Sequence, residues 1–447
     1  MPIFNCTFKS VLPILLVATL SACTATPDLT GVEVSLSRGS VGAGASAPSP
    51  RLTQSAFGQR VRAAVDSSPD LSQSATRMDI ASANEDAARG AFLPQLSVGV
   101  NARSERVDSD IADVTPYLRI SQLVYDGGAA SGDLAAAKAR VLESMGNQLQ
   151  AASATALSAI EAYVVVLDRR KILEISTRNL AVHEELVQQI TERATQGVGS
   201  NADVLSARSR MADARTRLAD ANARLDRSNA RFREVFGTAP GTLQPPVEAP
   251  KLSRTYTQIV MDSPQVRRAD AALLSARAEQ AAALARRNPD VKIAAFADRD
   301  EDNDANFGVD LSFNYELDST GQRRASIAAA EAQVKEAEFV RESVIREIQR
   351  ELEIVRSDQQ AGAVRLQAAR IAVQANADSV EAAREQFTIG RRSLNEILDA
   401  QRDYVIAQER LILAEQSFFL TNYAALSLTG DILDLLGIST AKWGGLQ

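Results

Sequence analysis

Apolar residues recur along this chain with two different periods, and each period appears twice. From about Ala129 to Thr195, and again from about Gln322 to Phe387, proline is absent and apolar positions follow helical spacing. In the second stretch Ile327, Val334, Ala337, Val340, Val344 and Ile348 recur at intervals of three, four and seven, which marks a narrow seam and not a wide core face. At 1.5 Å per residue each helix would run roughly 100 Å. Helices this long cannot surround a compact core, so the spacing predicts that they pack side by side into a shaft or tube. The period of two appears in shorter runs. Phe307, Val309, Leu311, Phe313 and Tyr315 alternate with Gly308, Asp310, Ser312, Asn314 and Glu316. Leu96, Val98 and Val100 alternate with Ser97, Gly99 and Asn101, and Leu118 and Ile120 with Arg119 and Ser121. One face of such strands is apolar and the other polar. A membrane barrel wall needs this between lipid and water, and a half-buried soluble sheet has the same period. The tips between the paired strands, Asp108 to Asp113 and Asp298 to Asn306, are polar and read as surface loops. Four strands cannot close a barrel, so a membrane reading requires several chains to share one.

The matching order of elements points to a duplication. Ser68-Pro69 and Ser263-Pro264 each open a helical stretch, and Pro94 and Pro289 each close one, 25 residues on in both cases (94 − 69 and 289 − 264). Asp126 and Asp318 each end a strand pair before a long helix. Gly197-x-x-Ser200-x-x-Asp203-Val204-Leu205-x-Ala207 lies against Gly390-x-x-Ser393-x-x-Glu396-Ile397-Leu398-x-Ala400, and Gly237 and Gly430 close the two modules. Each module reads helix, strand, strand, very long helix, break, helix. The fold class expected is mainly α with β. The segments expected are a first repeat over 52–237 with strands at about 93–125, a linker over 238–251, a second repeat over 252–432 with strands at about 290–317, and a tail over 433–447.

Composition narrows the chemistry. The chain has 447 residues, is poor in aromatics (5%) and carries a net charge of −7, which does not suit a nucleic-acid binder. Its only cysteines are Cys6 and Cys23, and its single histidine is His183. A disulfide framework and a Cys/His metal site are thereby nearly excluded. His183 sits in the polar stretch Leu180-Ala181-Val182-His183-Glu184-Glu185 and is expected to be a solvated helix residue. No Gly-rich Lys/Ser phosphate loop is present, and no nucleophile–base pair suggests an enzyme. No cofactor is expected.

At the N-terminus Lys9 precedes an apolar run from Val11 to Leu20, too short to span a bilayer as a mature helix. The run ends in Leu20-Ser21-Ala22-Cys23, which describes a secretory signal over 1–22. A cysteine directly after Leu-Ser-Ala resembles a bacterial lipobox, in which the thiol is acylated and becomes the first mature residue. An ordinary signal peptide with an incidental cysteine is the alternative. Thr24 in place of aspartate favours delivery to the outer membrane. Residues 23–51, rich in Ser, Gly, Ala and Pro, read as a flexible tether anchored to lipid.

With these features in place the chain resembles the TolC family of outer-membrane factors over about residues 52–432. Two segments carry the resemblance: Gln122-Leu123-Val124-Tyr125-Asp126-Gly127-Gly128 at the strand-to-helix junction, and Phe387-Thr388-Ile389-Gly390-Arg391-Arg392-Ser393-Leu394-Asn395-Glu396-Ile397-Leu398-Asp399-Ala400. The resemblance implies a homotrimer in which each chain gives four strands to one twelve-stranded barrel above a periplasmic helical tunnel. It implies partnership with a periplasmic adaptor and with an inner-membrane ABC or other pump, and no nucleic-acid partner. It also implies a constriction at the tunnel tip. Arg392, Glu396 and Asp399, at i, i+4 and i+7, are expected on one helical face. Glu396 and Asp399 match the carboxylates that narrow the entrance, and Arg392 matches the arginine that locks the helices. Asp203 matches the acidic partner of that arginine, and Phe387 replaces the aromatic of the lock without its hydroxyl.

The expected function is a passive, gated channel of a tripartite export system, leaning to type I protein secretion, with multidrug efflux by a lipoprotein channel as the alternative. From other classes, a periplasmic adaptor would have one helical hairpin, whereas two equivalent modules are present. A structural coiled-coil lipoprotein would have no use for the strand pairs.

Overall fold

The computed structural model describes residues 28–30, 48–103, 113–250, 256–299 and 304–438. The expected acylation site Cys23, most of the tether and the centres of both strand tips lie outside these residues. The described elements begin with α1 (Pro50–Thr53), α2 (Ala56–Asp66) and α3 (Pro69–Arg89), followed by β1 (Gln95–Arg103) and β2 (Asp113–Tyr125). Then come α4 (Ala129–Thr195), α5 (Asn201–Phe236), α6 (Tyr256–Met261) and α7 (Pro264–Ala285). The strands β3 (Asp290–Arg299) and β4 (Ala305–Asn314) precede α8 (Gln322–Thr388), α9 (Leu394–Thr429) and α10 (Asp431–Leu436). The duplication is exact in helix length: α4 and α8 each have 67 residues, and α5 and α9 each have 36. Two compact units are present, and each draws on both repeats. Of the described residues, one unit holds those within 91–133 and 278–328; the other holds those within 28–90, 134–277 and 329–438.

In the first unit the strands form one antiparallel sheet in the order β1-β2-β3-β4. The sequence suggests the two hairpins; the pairing of β2 with β3, which joins the repeats, is an addition of the structure. Directly opposed residues share a face. Leu96 and Val98 oppose Ile120 and Leu118, which oppose Ala295 and Ala297, which oppose Val309 and Phe307. One face is therefore apolar across all four strands, and it is uncovered: Val98 is 76% exposed, Phe307 79% and Val309 70%. The other face is polar and carries an ion pair, Arg119 Nη2 to Asp310 Oδ2 at 3.1 Å. On that face the ring of Tyr117 lies over Gly99 and the ring of Phe296 over Gly308. A Cβ at Gly99 would fall 2.5 Å from the Tyr117 hydroxyl oxygen and 2.6 Å from its ring carbon Cζ, and one at Gly308 would fall 2.3 Å from Phe296 Cζ. The outer strands carry the glycines and the inner strands the aromatics, so each ring occupies the space that a side chain on the facing strand would need.

The helical unit is held by packing at several levels. Its main core joins Phe57, Val61 and Val65 of α2 to Ile160 and Tyr163 of α4, Phe232 of α5, Tyr423 and Leu426 of α9, and Ile432 and Leu436 of α10. Phe57 meets Tyr163 edge-on at 5.0 Å between ring centroids, a geometry that aromatic quadrupoles favour. Both buried tyrosines also tie down the inter-repeat linker. Tyr163 Oη donates to the Gln244 carbonyl at 2.8 Å, and Tyr423 Oη to the Val247 carbonyl at 2.7 Å. Arg170 and Arg60 donate to the carbonyls of Gly241 and Pro240. The proline-rich link is thus anchored by side chains where it lacks a backbone ladder. Further along, Ile172 and Ile175 of α4 pack with Ala221 of α5 and with Val405 and Ile412 of α9. The seam of α8 is only partly used within one chain: Ile348 is buried, whereas Val340, Ile354, Val364 and Ile371 are exposed.

His183 corrects an expectation. Only 6% of it is exposed, although its neighbours in sequence are polar. Helix α4 is covered by both α5 and α9, and the residues beside His183 on these helices leave it little water.

Candidate functional site

The breaks between α4 and α5 and between α8 and α9 are built alike. Each long helix ends on a glycine with positive φ, Gly197 at 77° and Gly390 at 76°, a conformation that a Cβ disfavours. Val198 N–H donates to the Arg193 carbonyl and Gly197 N–H to that of Ala194; Arg391 and Gly390 repeat this on Gln386 and Phe387. These paired bonds satisfy the last carbonyls of each helix. Three residues on, a serine opens the next helix. Ser200 N–H donates to Asp203 at 3.3 Å, and Ser393 N–H donates to Glu396 Oε2 at 2.8 Å. Both are capping boxes, which satisfy otherwise unpaired amides at the helix start.

Beneath the turns Ile190, Val204, Ala207, Leu394 and Leu398 form a buried cluster that draws on both repeats, with Phe387 packed against it. The Arg193 guanidinium sits over the Phe387 ring, 4.7 Å from its centroid, a cation–π contact between α4 and α8.

The six residues singled out from sequence fall into different places. Cys23 lies outside the described residues. Asp203 is engaged in the cap of α5. Arg392 is not on the face of α9 expected of it. It lies in the turn before Ser393, since the capping box starts the helix at Leu394, and its Nε donates to Gln386 Oε1 at 2.9 Å. Glu396 lies in the first turn of α9, where the Ser393 N–H, the Ser393 hydroxyl and the Arg392 charge hold its carboxyl below the usual range. Asp399 makes the charged link between the repeats: Arg210 Nη2 of α5 lies 3.4 Å from its Oδ1, and Arg402 Nη1 lies 3.2 Å from the same atom. Beside it Ser206 Oγ donates to Asn395 Oδ1 at 3.2 Å. The structure thus pairs Asp399 with Arg210 and gives Arg392 and Asp203 separate partners.

Sequence reading misses Arg193, Arg210 and Arg402. A signal for two of them exists. Arg402 is three residues beyond Asp399, and Arg210 is one turn beyond Ser206, the first-repeat counterpart of Asp399.

The outer membrane efflux protein family model matches residues 60–238 and 255–429, once on each repeat. The chain belongs to the outer membrane efflux protein family. It is 27% identical over 419 residues to the outer membrane efflux protein BepC of Brucella suis, covering 88% of this chain and 89% of that protein. Among solved structures it resembles CusC, with a TM-score of 0.77 at 16% identity, covering 83% of this chain and 91% of that one. It also resembles the CmeC outer membrane channel of Campylobacter jejuni, with a TM-score of 0.76 at 13% identity over 84% and 85% of the two chains. The VceC outer membrane protein of Vibrio cholerae gives 0.74 at 18% identity over 84% and 96%. At these identities the structures establish the fold. Family membership places this chain in the outer membrane, with its helices in the periplasm, among passive channels and not enzymes. Channels of this family are trimers that serve tripartite export systems with a periplasmic adaptor and an inner-membrane pump.

Proposed function

We propose that three copies of this chain close one barrel in the outer membrane and form a duct that passes substrates outward without consuming energy themselves. The observation that supports this best is the four-stranded sheet, apolar and exposed on one face, polar on the other. In lipid every strand edge must be paired. Among the described residues β1 and β4 each have one neighbour only, and an edge of the same sheet from another copy completes them. The unused apolar positions of α8 are suited to packing against a neighbouring chain in the same assembly.

Small-molecule efflux is one reading of the cargo; the relative BepC is described as an outer membrane efflux protein, which supports efflux without naming what is carried. Protein secretion by a type I system is the second, favoured by the segment from Gly390 to Ala400, which looks like that of secretion-type channels. Comparing a deletion strain for drug susceptibility and for loss of a secreted protein separates the two. The chain is further read as lipid-anchored through Cys23. Metabolic labelling with palmitate tests this: label absent from the parent, or retained in Cys23→Ala, refutes it.

At the tip, Glu396 and Asp399 are the proposed constriction, supplying carboxylates around the axis that attract cations and repel anions. Phe387, Arg392 and Asp203 are the proposed lock residues, and Arg193 and Arg210 join them on geometric grounds. Conductance in planar bilayers is the test. Neutralising Glu396 and Asp399 together should lower cation selectivity and change conductance; if both stay as in the parent, the gate assignment fails.

A further inference from the structure

The duplicated helices make one contact inside the chain and leave its counterpart open. Helices α3 and α7 correspond with an offset of 195 residues (264 − 69), and α4 and α8 with one of 193 (322 − 129). Within the chain α7, from the second repeat, packs on α4, from the first. Arg268 Nη1 donates to Asn147 Oδ1 and to Gln150 Oε1, both at 3.3 Å. Ser275 Oγ donates to the Ala136 carbonyl at 3.5 Å. The helices come close where Arg268 crosses Gly146, since a Cβ there would fall 2.9 Å from the Arg268 Cβ. Ala136, Ala271 and Ser275 are accordingly buried. Their counterparts are uncovered among the described residues. Thr76 and Ile80 on α3 stand where Ala271 and Ser275 stand on α7, and both are exposed, Ile80 by 58%. On α8, Ala329, Phe339 and Val340 take the places of Ala136, Gly146 and Asn147. All three are exposed, Phe339 by 70% and Val340 by 49%.

We propose that α3 of one copy docks on α8 of the next, in the register in which α7 lies on α4. The partner is a second copy of this chain. The inference rests on the three-copy reading above and assigns where the copies meet. Three copies hold six repeats. The contact from each first repeat to its second lies within a chain, so a closed ring needs one more kind of contact, from each second repeat to the next copy's first. Such a contact uses different patches on the two copies and closes by rotation. The offsets turn Ser275 on Ala136 into Ile80 on Ala329. They turn Arg268 on Gly146 and Asn147 into Gln73 on Phe339 and Val340. The contact between copies is thereby less polar than the one within a chain, which suits exposed apolar residues that need a partner. Val340 offers no acceptor where Asn147 receives Arg268, and Gln73 brings no charge there. Phe339 needs more room than Gly146, so α3 and α8 stand further apart at that point than α7 and α4 do.

Thiol cross-linking of the full-length protein in outer membranes tests the register. The double variant Ile80→Cys with Ala329→Cys, treated with a short bismaleimide, should give covalent species of two and three chains. Each single variant should remain a single chain, which also controls for Cys23. Ile80→Cys with Glu336→Cys, moved two turns along the same face of α8, should link roughly tenfold less, because the shift adds about 11 Å. Gln73→Cys with Val340→Cys is a second pair in the same register, so a variant that fails to fold leaves the other to report. A particle of three chains in which neither pair links, or in which the shifted pair links as readily as the first, overturns the assigned contact and leaves the three-copy reading standing. A parent protein that runs as a monomer overturns both.

Discussion

Arg210 on α5 meets Asp399 on α9 with 3.4 Å between Nη2 and Oδ1, an ion pair that joins the first repeat to the second. Arg402 approaches the same oxygen from its own helix at 3.2 Å. All three side chains are partly exposed, so each contact should contribute no more than about 1 kcal/mol to stability. Asp399→Asn is therefore expected to melt close to the parent while losing cation selectivity in planar bilayers. A large drop in melting temperature with unchanged conductance would make Asp399 a structural residue.

The contact between Arg193 and Phe387 offers a second prediction. The ring packs against a buried cluster and carries a cation over its face, so Phe387→Ala loses both apolar burial and the cation–π attraction. A destabilisation of about 1–3 kcal/mol is expected. A double-mutant cycle with Arg193→Ala isolates the pair, with an expected coupling of about 0.5–1 kcal/mol. Additive effects would mean that the ring acts through packing alone. Phe387→Tyr should keep the coupling.

A third prediction concerns pH. Asp168 on α4 is 5% exposed; Lys171 Nζ donates to its Oδ1 at 3.3 Å, and its Oδ2 has no partner among the described residues. Burial pushes its carboxyl up to about 6; Lys171 opposes the shift, and Glu415 adds to it. The folded protein therefore holds this proton more tightly than the unfolded chain. Its contribution to stability is full below pH 3.8, and is lost as pH rises from there through about 6. Asp168→Asn should stabilise the protein at pH 8 by on the order of 2 kcal/mol, with the difference from the parent shrinking below pH 4. Urea unfolding at the two pH values checks it; an asparagine variant less stable at pH 8 would mean that the Lys171 pair outweighs burial.

Much of the architecture is legible in the chain because its signals are local. Gly197 and Gly390 end the long helices through backbone geometry that few other residues adopt, and the alternation around Val309 sets a strand whatever surrounds it. The pairing of β2 with β3 is less legible, because β2 and β3 come from opposite ends of a long intervening helical segment and no turn connects them. The tip is legible as a place and not as a set of contacts. Arg392 fits a helical face by number, but Ser393 begins the helix one residue later, so the arginine hangs in the turn. His183 looks solvated beside Glu184 and Glu185, and is buried because two other helices cover that side of α4. Arg210 goes unnoticed for a similar reason: its partner is 189 residues away.

On the proposed function this chain becomes a channel only in company. The native mass of the protein extracted from outer membranes in mild detergent tests it most directly, with gel mobility compared before and after heating. A particle of three chains, resistant to denaturant until heated, is the predicted result. A monomer that partitions into the aqueous phase, with its apolar sheet face unshared, would contradict the account.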